Sequence, residues 1–231
     1  MTTSVFLMKY FNVLILVSSN PQTFTMSKGD SFVIPKDLFK GGDDLFVGLG
    51  WEAPGGVDLD ASIILLDGKH QEVDVVYFGN KTHGGAIQHR GDNTTGVGKG
   101  DDERIDIDLD QLSPDVQEMY VTVNIYSPGR TFAQVKDAYV RLCAIKNQHE
   151  LCRYTLRDAV KTNGLVFACI KRAGGGAWSV SALGKEAQGR RSTDDSMLEA
   201  LHPSARRAPR PNNMSSTSTS NNEPDSCCIV S

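Results

Sequence analysis

The sequence has no cysteine framework. None of its five cysteines forms a Cys-x-x-Cys pair, so neither a zinc site nor a disulfide scaffold is expected. Cys143, Cys152 and Cys169 stand alone in apolar stretches and read as buried, reduced thiols. No excess of one charge is present: 24 Lys and Arg against 28 Asp and Glu give a formal net charge of −4, which gives no reason to expect nucleic acid as a partner. The five histidines, His70, His83, His89, His149 and His202, are scattered. They show no partnership with Ser, Asp or Cys that would suggest catalysis, and they read as surface or loop residues, so no enzyme is expected. No internal repeat of 20–50 residues is visible. Long apolar runs are missing too. The richest N-terminal stretch, Val5–Met8 followed by Val13–Val17, is broken by Lys9 and Asn12 and is too short to span a bilayer.

The first 25 residues leave three readings open. They are an upstream extension without a structural role, since Met26 stands just before the first domain-like sequence; a weak signal or targeting peptide; or an extra strand or helix.

What is present is a succession of short runs rich in Val, Ile and Tyr, bounded by Gly, Asp, Asn and Pro. Strands are expected at Val33-Ile34, Leu45–Trp51, Asp60–Leu66, Val73–Phe78, Ile105–Leu109, Met119–Tyr126, Ala138–Ile145, Leu151–Leu156, Leu165–Lys171 and Ala177–Leu183. Gly174-Gly175-Gly176 reads as a turn joining the last two. Single helical turns fit Phe132–Asp137 and Leu156–Thr162. The expected fold is mainly β, a two-sheet sandwich with one or two short helices. From Lys185 onward Ser, Thr, Asn, Pro and Arg dominate. Residues 185–226 read as a flexible tether that cannot offset the entropy cost of ordering, with a short helix allowed at Asp194–Leu201. The expected division is 1–25 extension, 26–184 domain, 185–231 tail.

Six carboxylates, Asp58, Asp60, Asp92, Asp101, Asp102 and Glu103, fall in two short segments. Alternation along a strand places Asp58 and Asp60 on one side and Leu59 on the other. The segment Gly91–Glu103 carries four glycines among thirteen residues, so its backbone carbonyls can turn inward beside its acidic side chains. Such a set suits calcium, which takes six to eight oxygens at about 2.3–2.6 Å. Magnesium keeps its waters, and zinc wants Cys or His, so both fit less well. An EF-hand is excluded: counting from Asp92, its third, fifth and sixth positions hold Thr94, Gly96 and Val97. A phosphate-binding P-loop is excluded because Gly100, not Ser or Thr, follows Lys99.

The order VGLGWEAPGGVDLDASIILLD, VDVVYFGN and GDNTTGVGKGDDERIDIDL resembles the TerD (tellurium-resistance) family, as do SKGDSFVIPK, RTFAQVKDAYVRLC and ELCRYTL. The resemblance spans about 26–184. It implies a calcium-binding β-sandwich without established catalysis. In bacteria the family goes with tellurite and chemical-stress resistance, and some eukaryotic relatives are described as cAMP-binding. Carried over to this chain, the side-chain ligands would be Asp58, Asp60, Asn80, Asp92, Asn93, Asp101, Asp102 and Glu103, joined by carbonyls of Gly91, Gly96, Gly98 and Gly100. Two departures stand out: Glu52 follows Gly-Trp where the family usually has Asp, and Gly79 precedes a single Asn80 where it often has two asparagines. Val97 and Lys99 hold loop positions that are often acidic.

The last four residues, Cys228-Ile229-Val230-Ser231, match a C-a-a-X prenylation box of the farnesyl kind. One prenyl chain anchors weakly, and Cys227 offers a palmitoylation site as the second signal. Such a lipid would place the protein on the cytoplasmic face of a membrane. A small-ligand binder, of the cyclic-nucleotide kind, is the competing class. It would need an anion site near Arg90, Arg104, Arg130 or Arg141.

Overall fold

The computed structural model describes residues 28–34, 45–53, 56–96, 100–145, 150–156 and 161–208, with the backbone of three short strands before them. Two sheets pack face to face. The strands are β1 (Lys9–Tyr10), β2 (Val13–Ile15), β3 (Phe24–Thr25), β4 (Ser31–Ile34), β5 (Leu45–Glu52), β6 (Leu59–Leu66), β7 (Glu72–Val76), β8 (Thr82–His83), β9 (Ile87–His89), β10 (Glu103–Ile107), β11 (Glu118–Ile125), β12 (Lys136–Ala144), β13 (Glu150–Thr155), β14 (Gly164–Arg172) and β15 (Trp178–Ala187). The first sheet has eight strands in the order β1-β2-β4-β15-β14-β11-β6-β7, and the second seven in the order β3-β13-β12-β5-β10-β9-β8. Without β1, β2 and β3 both sheets are antiparallel throughout. The expected sandwich is therefore what forms, and all ten expected strands are in it.

The alternation of β5 and β6 explains the layering. Val47, Leu49, Leu59, Ala61, Ile63 and Leu65 point between the sheets into one core. The other face of β6 carries Asp60, Ser62, Ile64 and Leu66, and the last two belong to a second apolar cluster outside the first sheet. The turn expected at Phe132 is a 3₁₀ turn, Phe132–Gln134. It starts at Thr131, whose hydroxyl accepts from Ala133 N while Gln134 reaches back to the Thr131 amide. The second expected turn, Leu156–Thr162, falls largely outside the described residues.

The C-terminal reading needs correction. Residues 185–208 are not a free tether: β15 runs to Ala187, and helix α1 (Asp195–Leu201) lies on the first sheet. Met197, Leu198 and Leu201, spaced on one helical face, are buried with Ile64, Leu66, Val75, Tyr120 and Val166. The short helix allowed at Asp194–Leu201 is present, but composition hid its docking, which rests on Met197, Leu198 and Leu201 with Ala200 beside them. His202 closes the helix and Pro203 prevents its continuation. The rest of the expected tail, with Cys227 and Cys228, lies outside the described residues. Among the described residues no helix is long and apolar enough to cross a membrane.

Candidate metal centre

Strand β7 pairs with Ile63–Leu66 of β6, so among the described residues the first part of β6 has no strand neighbour on that side. The amide of Ala61 points into this gap and is taken by Glu103 Oε2 from β10 of the opposite sheet, at 2.7 Å. Asp58 and Asp60 flank the gap. Asp58 is fixed at its backbone, its amide donating to Ser127 Oγ (3.0 Å) and its carbonyl accepting from Tyr126 N (3.0 Å). The loop after β9 brings in Asp92. Asp58, Asp60 and Asp92 each place a carboxylate oxygen within 4.8 Å of the other two. Among the described residues, no other three His, Cys, Asp or Glu side chains come so close.

These carboxylates are short of partners. Asp58 Oδ1, Asp60 Oδ2 and Glu103 Oε1 are buried with no hydrogen bond among the described residues. Burial first, then the charges of Glu103, Asp58 and Asp92, push the Asp60 carboxyl up to about 8, with Arg191 acting weakly the other way. Asp58 is raised by burial and by Asp92. Glu103 is raised by burial, partly offset by the nearby His89 ring and by the bond from the Ala61 amide. A buried anion without a counter-charge is costly, so the site is relieved either by protons or by a cation. Oxygen-only donors converging in a partly open notch suit a hard divalent ion.

The other expected ligands have different partners. Asp101 lies on the outer face of the second sheet, where Arg141 grips both its oxygens (2.8 and 2.7 Å) and Tyr139 donates a third bond. It packs over Gly48, where a Cβ would sit 2.3 Å from its carboxylate. Asp102 organises the loop, accepting from Trp51 N and from Asn93 Nδ2. Asn93 Oδ1 accepts from Thr95 N, Thr95 Oγ1 and Gly96 N, and so forms the turn rather than offering a free oxygen. Asn80 commits its amide nitrogen to Asp74 Oδ1 and to the Val75 carbonyl, in the turn between β7 and β8. Gly96, at φ +59°, is needed for close approach: a Cβ there would lie 2.3 Å from Trp51 Nε1, which donates to Val57 O. Gly91 and Gly100 stand in the same loop, and Gly98 lies outside the described residues. Glu52 is exposed, in register with Lys136.

Several participants were not expected. His89 is buried, not a surface histidine, with Nε2 3.8 Å from Glu103 Oε2 and neither ring nitrogen hydrogen-bonded. Arg190 and Arg191 bracket Tyr126: Arg190 donates twice to the Tyr126 carbonyl, Arg191 donates to its hydroxyl, and both guanidiniums lie 5.2 Å from the ring centroid. No hydrophobic period marks such residues. Of the arginines considered for an anion site, Arg90 and Arg104 share Asp106, and Arg141 holds Asp101.

The TerD domain model matches residues 23–191. The chain belongs to the TerD family. It is 37% identical over 191 residues to stress response protein SCP2 of Bacillus subtilis (strain 168), covering 71% of this chain and 92% of that one. It is 36% identical over 172 residues to the tellurium resistance protein TerD of an Alcaligenes species, covering 69% and 88%. The fold matches the crystal structure of a homologue of telluride resistance protein (TerD) from Streptomyces coelicolor A3(2), with a TM-score of 0.60 at 22% identity, covering 71% of this chain and 98% of that one. The domain model ends at residue 191, just before α1.

Proposed function

We propose that this chain is a non-catalytic, calcium-binding TerD-family module whose ion is held by Asp58, Asp60 and Asp92. The observation that carries the reading is the convergence of these three carboxylates within 4.8 Å, with buried oxygens on Asp58 and Asp60 left without a donor. Glu103 lies behind them and adds negative potential while its Oε2 holds Ala61. The bound ion would supply the positive charge that the site lacks, and the chain's part is to hold the carboxylates ionised and together. Calcium fits better than zinc because all three donors are oxygens. The named relatives are stress-response and tellurium-resistance proteins, and this chain is read as serving a response of the same kind.

Titration calorimetry of the full chain with calcium, magnesium and zinc tests the site. Calcium heat that disappears in Asp60→Asn supports it; equal heats in both chains would remove it. The C-terminal Cys-Ile-Val-Ser supports a second reading, a prenyl anchor on Cys228 helped by Cys227. Membrane partition of Cys228→Ser in cells decides that point, and undiminished membrane association would exclude the anchor.

A further inference from the structure

Where helix α1 ends, two histidines meet. The helix buries Met197, Leu198 and Leu201 on the outer face of the first sheet, and His202 closes it. The His202 ring stacks on that of His70, in the turn between β6 and β7, with centroids 3.7 Å apart and planes inclined by 21°. His70 sits at φ +60°, in the left-handed region that favours glycine. Its amide donates to the Asp67 carbonyl (3.0 Å), and its own carbonyl accepts from Arg206 N (3.0 Å). The stack thus joins the turn of the sheet to the segment that follows the helix.

Fixed partners decide which ring nitrogens carry protons. His202 Nδ1 lies 3.1 Å from the amide of Ser204. An amide only donates, so this nitrogen accepts, and neutral His202 carries its proton on Nε2. His70 Nδ1 lies 3.2 Å from Glu118 Oε2. Burial acts upward on the Glu118 carboxyl, but bonds from Lys171 (2.6 Å) and Tyr120 (3.0 Å) hold it below its usual range. Glu118 is therefore ionised, and His70 donates to it. A proton added to His70 goes to Nε2 and keeps Glu118 as its counter-charge. A proton added to His202 must go to Nδ1, where it points at the Ser204 N–H, breaks that bond and sets a second cation 3.7 Å from the first. The other charged groups near the stack are committed elsewhere. On β7, Glu72 pairs with Arg207, which also reaches Asp195 at 3.4 Å. In the turn, Asp67 Oδ1 accepts from the amides of Lys69 and Gln71. Arg206 donates to the carbonyls of Pro203 and Ala205. The docked stack accordingly holds one proton, and the separated rings hold two.

We propose that the His70–His202 stack is a proton-sensitive clasp, so that acidification from neutral pH toward 5 charges both rings and releases residues 195–207 from the first sheet, uncovering the apolar face of Ile64, Leu66, Val75, Tyr120 and Val166. The sign follows from counting protons. The docked state binds one fewer than the released state, so docking weakens as pH falls through the range in which histidine charges, by up to about tenfold per pH unit. Carboxylates ordinarily titrate lower, near about 4, so the pairs of Arg207 with Glu72 and Asp195 are not what changes in this window. The clasp does not depend on the cation reading of the acidic cluster. Helix α1 and His202 lie beyond the residues that the family model matches.

The test is amide hydrogen exchange of the full chain in EGTA between about pH 7 and pH 5. Protection at 195–206 is read relative to the β11 amides in the same sample, which cancels the pH dependence of exchange itself. The native ratio is expected to fall by about tenfold or more. His202→Asn, whose amide oxygen can accept from Ser204 N but takes up no proton, and His70→Gln are expected to hold it level. An unchanged ratio in the native chain, or an equal fall in both variants, would overturn the clasp. Should a variant fail to dock at neutral pH, the ring-proton NMR titration of the native chain decides. His202 is expected to take its proton at lower pH there than in the undocked Met197→Asp/Leu201→Asp chain, and coincident curves would overturn the proposal.

Discussion

Carboxylates occur in two contrasting settings in this sandwich. On the outer face of the second sheet three acids face guanidinium groups: Asp101 with Arg141, Asp106 with Arg90 and Arg104, and Glu150 with Arg141 and Arg153. At the gap beside β6, Asp58, Asp60, Asp92 and Glu103 crowd together with Arg191 as a distant counter-charge. The contrast runs through three consecutive residues. Asp101 turns out to an arginine, Asp102 turns into the loop, and Glu103 turns between the sheets. The acids on the sheet face are satisfied within the chain. Those at the gap keep buried oxygens with no hydrogen-bond donor among the described residues, and that difference separates a structural ion pair from a candidate binding site.

The sharpest way to break the comparison is to neutralise one acid on the crowded side. Asp60→Asn should melt higher than the native chain in EGTA and lose the calcium increment, which for the native chain is about 2.7 kcal/mol at 100 times the dissociation constant. Thermal scans with and without calcium check both halves. Arg141→Met should instead lose about 1–3 kcal/mol, the cost of leaving a partly buried charged acceptor unpaired, while calcium affinity stays as it was. Urea melts beside calorimetry separate the two.

Acid titration should divide the regions by sign. Asp60 keeps its proton up to about pH 8 when folded but releases it near 3.8 when unfolded. Its contribution to stability without calcium is therefore complete below pH 3.8 and lost as pH rises toward 8. Glu118 behaves oppositely. Burial acts upward on it, but hydrogen bonds from Lys171 and Tyr120 hold it below the usual 4.5, so its contribution is present above that value and lost as pH falls. Stability curves in EGTA and in calcium should diverge progressively as pH rises to about 8, where calcium no longer competes with the Asp60 proton; parallel curves would contradict the crowded-acid account. The smallest effect belongs to Glu52→Gln. An exposed residue outside the three-aspartate group should change stability by under about 0.5 kcal/mol and leave the calcium isotherm unchanged.

The sandwich could be read from the sequence because its strands alternate or run apolar between turn residues, as in Asp60–Leu66 and Met119–Tyr126. Asp58 and Asp60 could be read for the same reason: a period of two fixes which side a residue faces. The destinations of Asp101, Asp102 and Glu103 could not. They depend on Arg141 forty residues later, on Trp51 fifty-one residues earlier and on an unpaired amide at Ala61. The short strands β8 and β9 were missed because two or three residues show no period, and with β9 went the burial of His89. The short helix allowed at Asp194–Leu201 forms, but its docking on the first sheet was missed because a few apolar side chains in a polar segment leave almost no compositional trace.

The bond from Ala61 N to Glu103 has a consequence for solubility. A strand with an unpaired N–H at a sheet margin is a template on which another chain can add. Here that margin is closed from across the sandwich by a carboxylate, which has no N–H to offer an incoming strand and would repel an acidic one. Glu103→Ala would open the margin, and slow self-association at high protein concentration would follow even where the fold survives. The closing of the β6 margin at Ala61 and the electrostatics of the acidic cluster thus depend on one side chain.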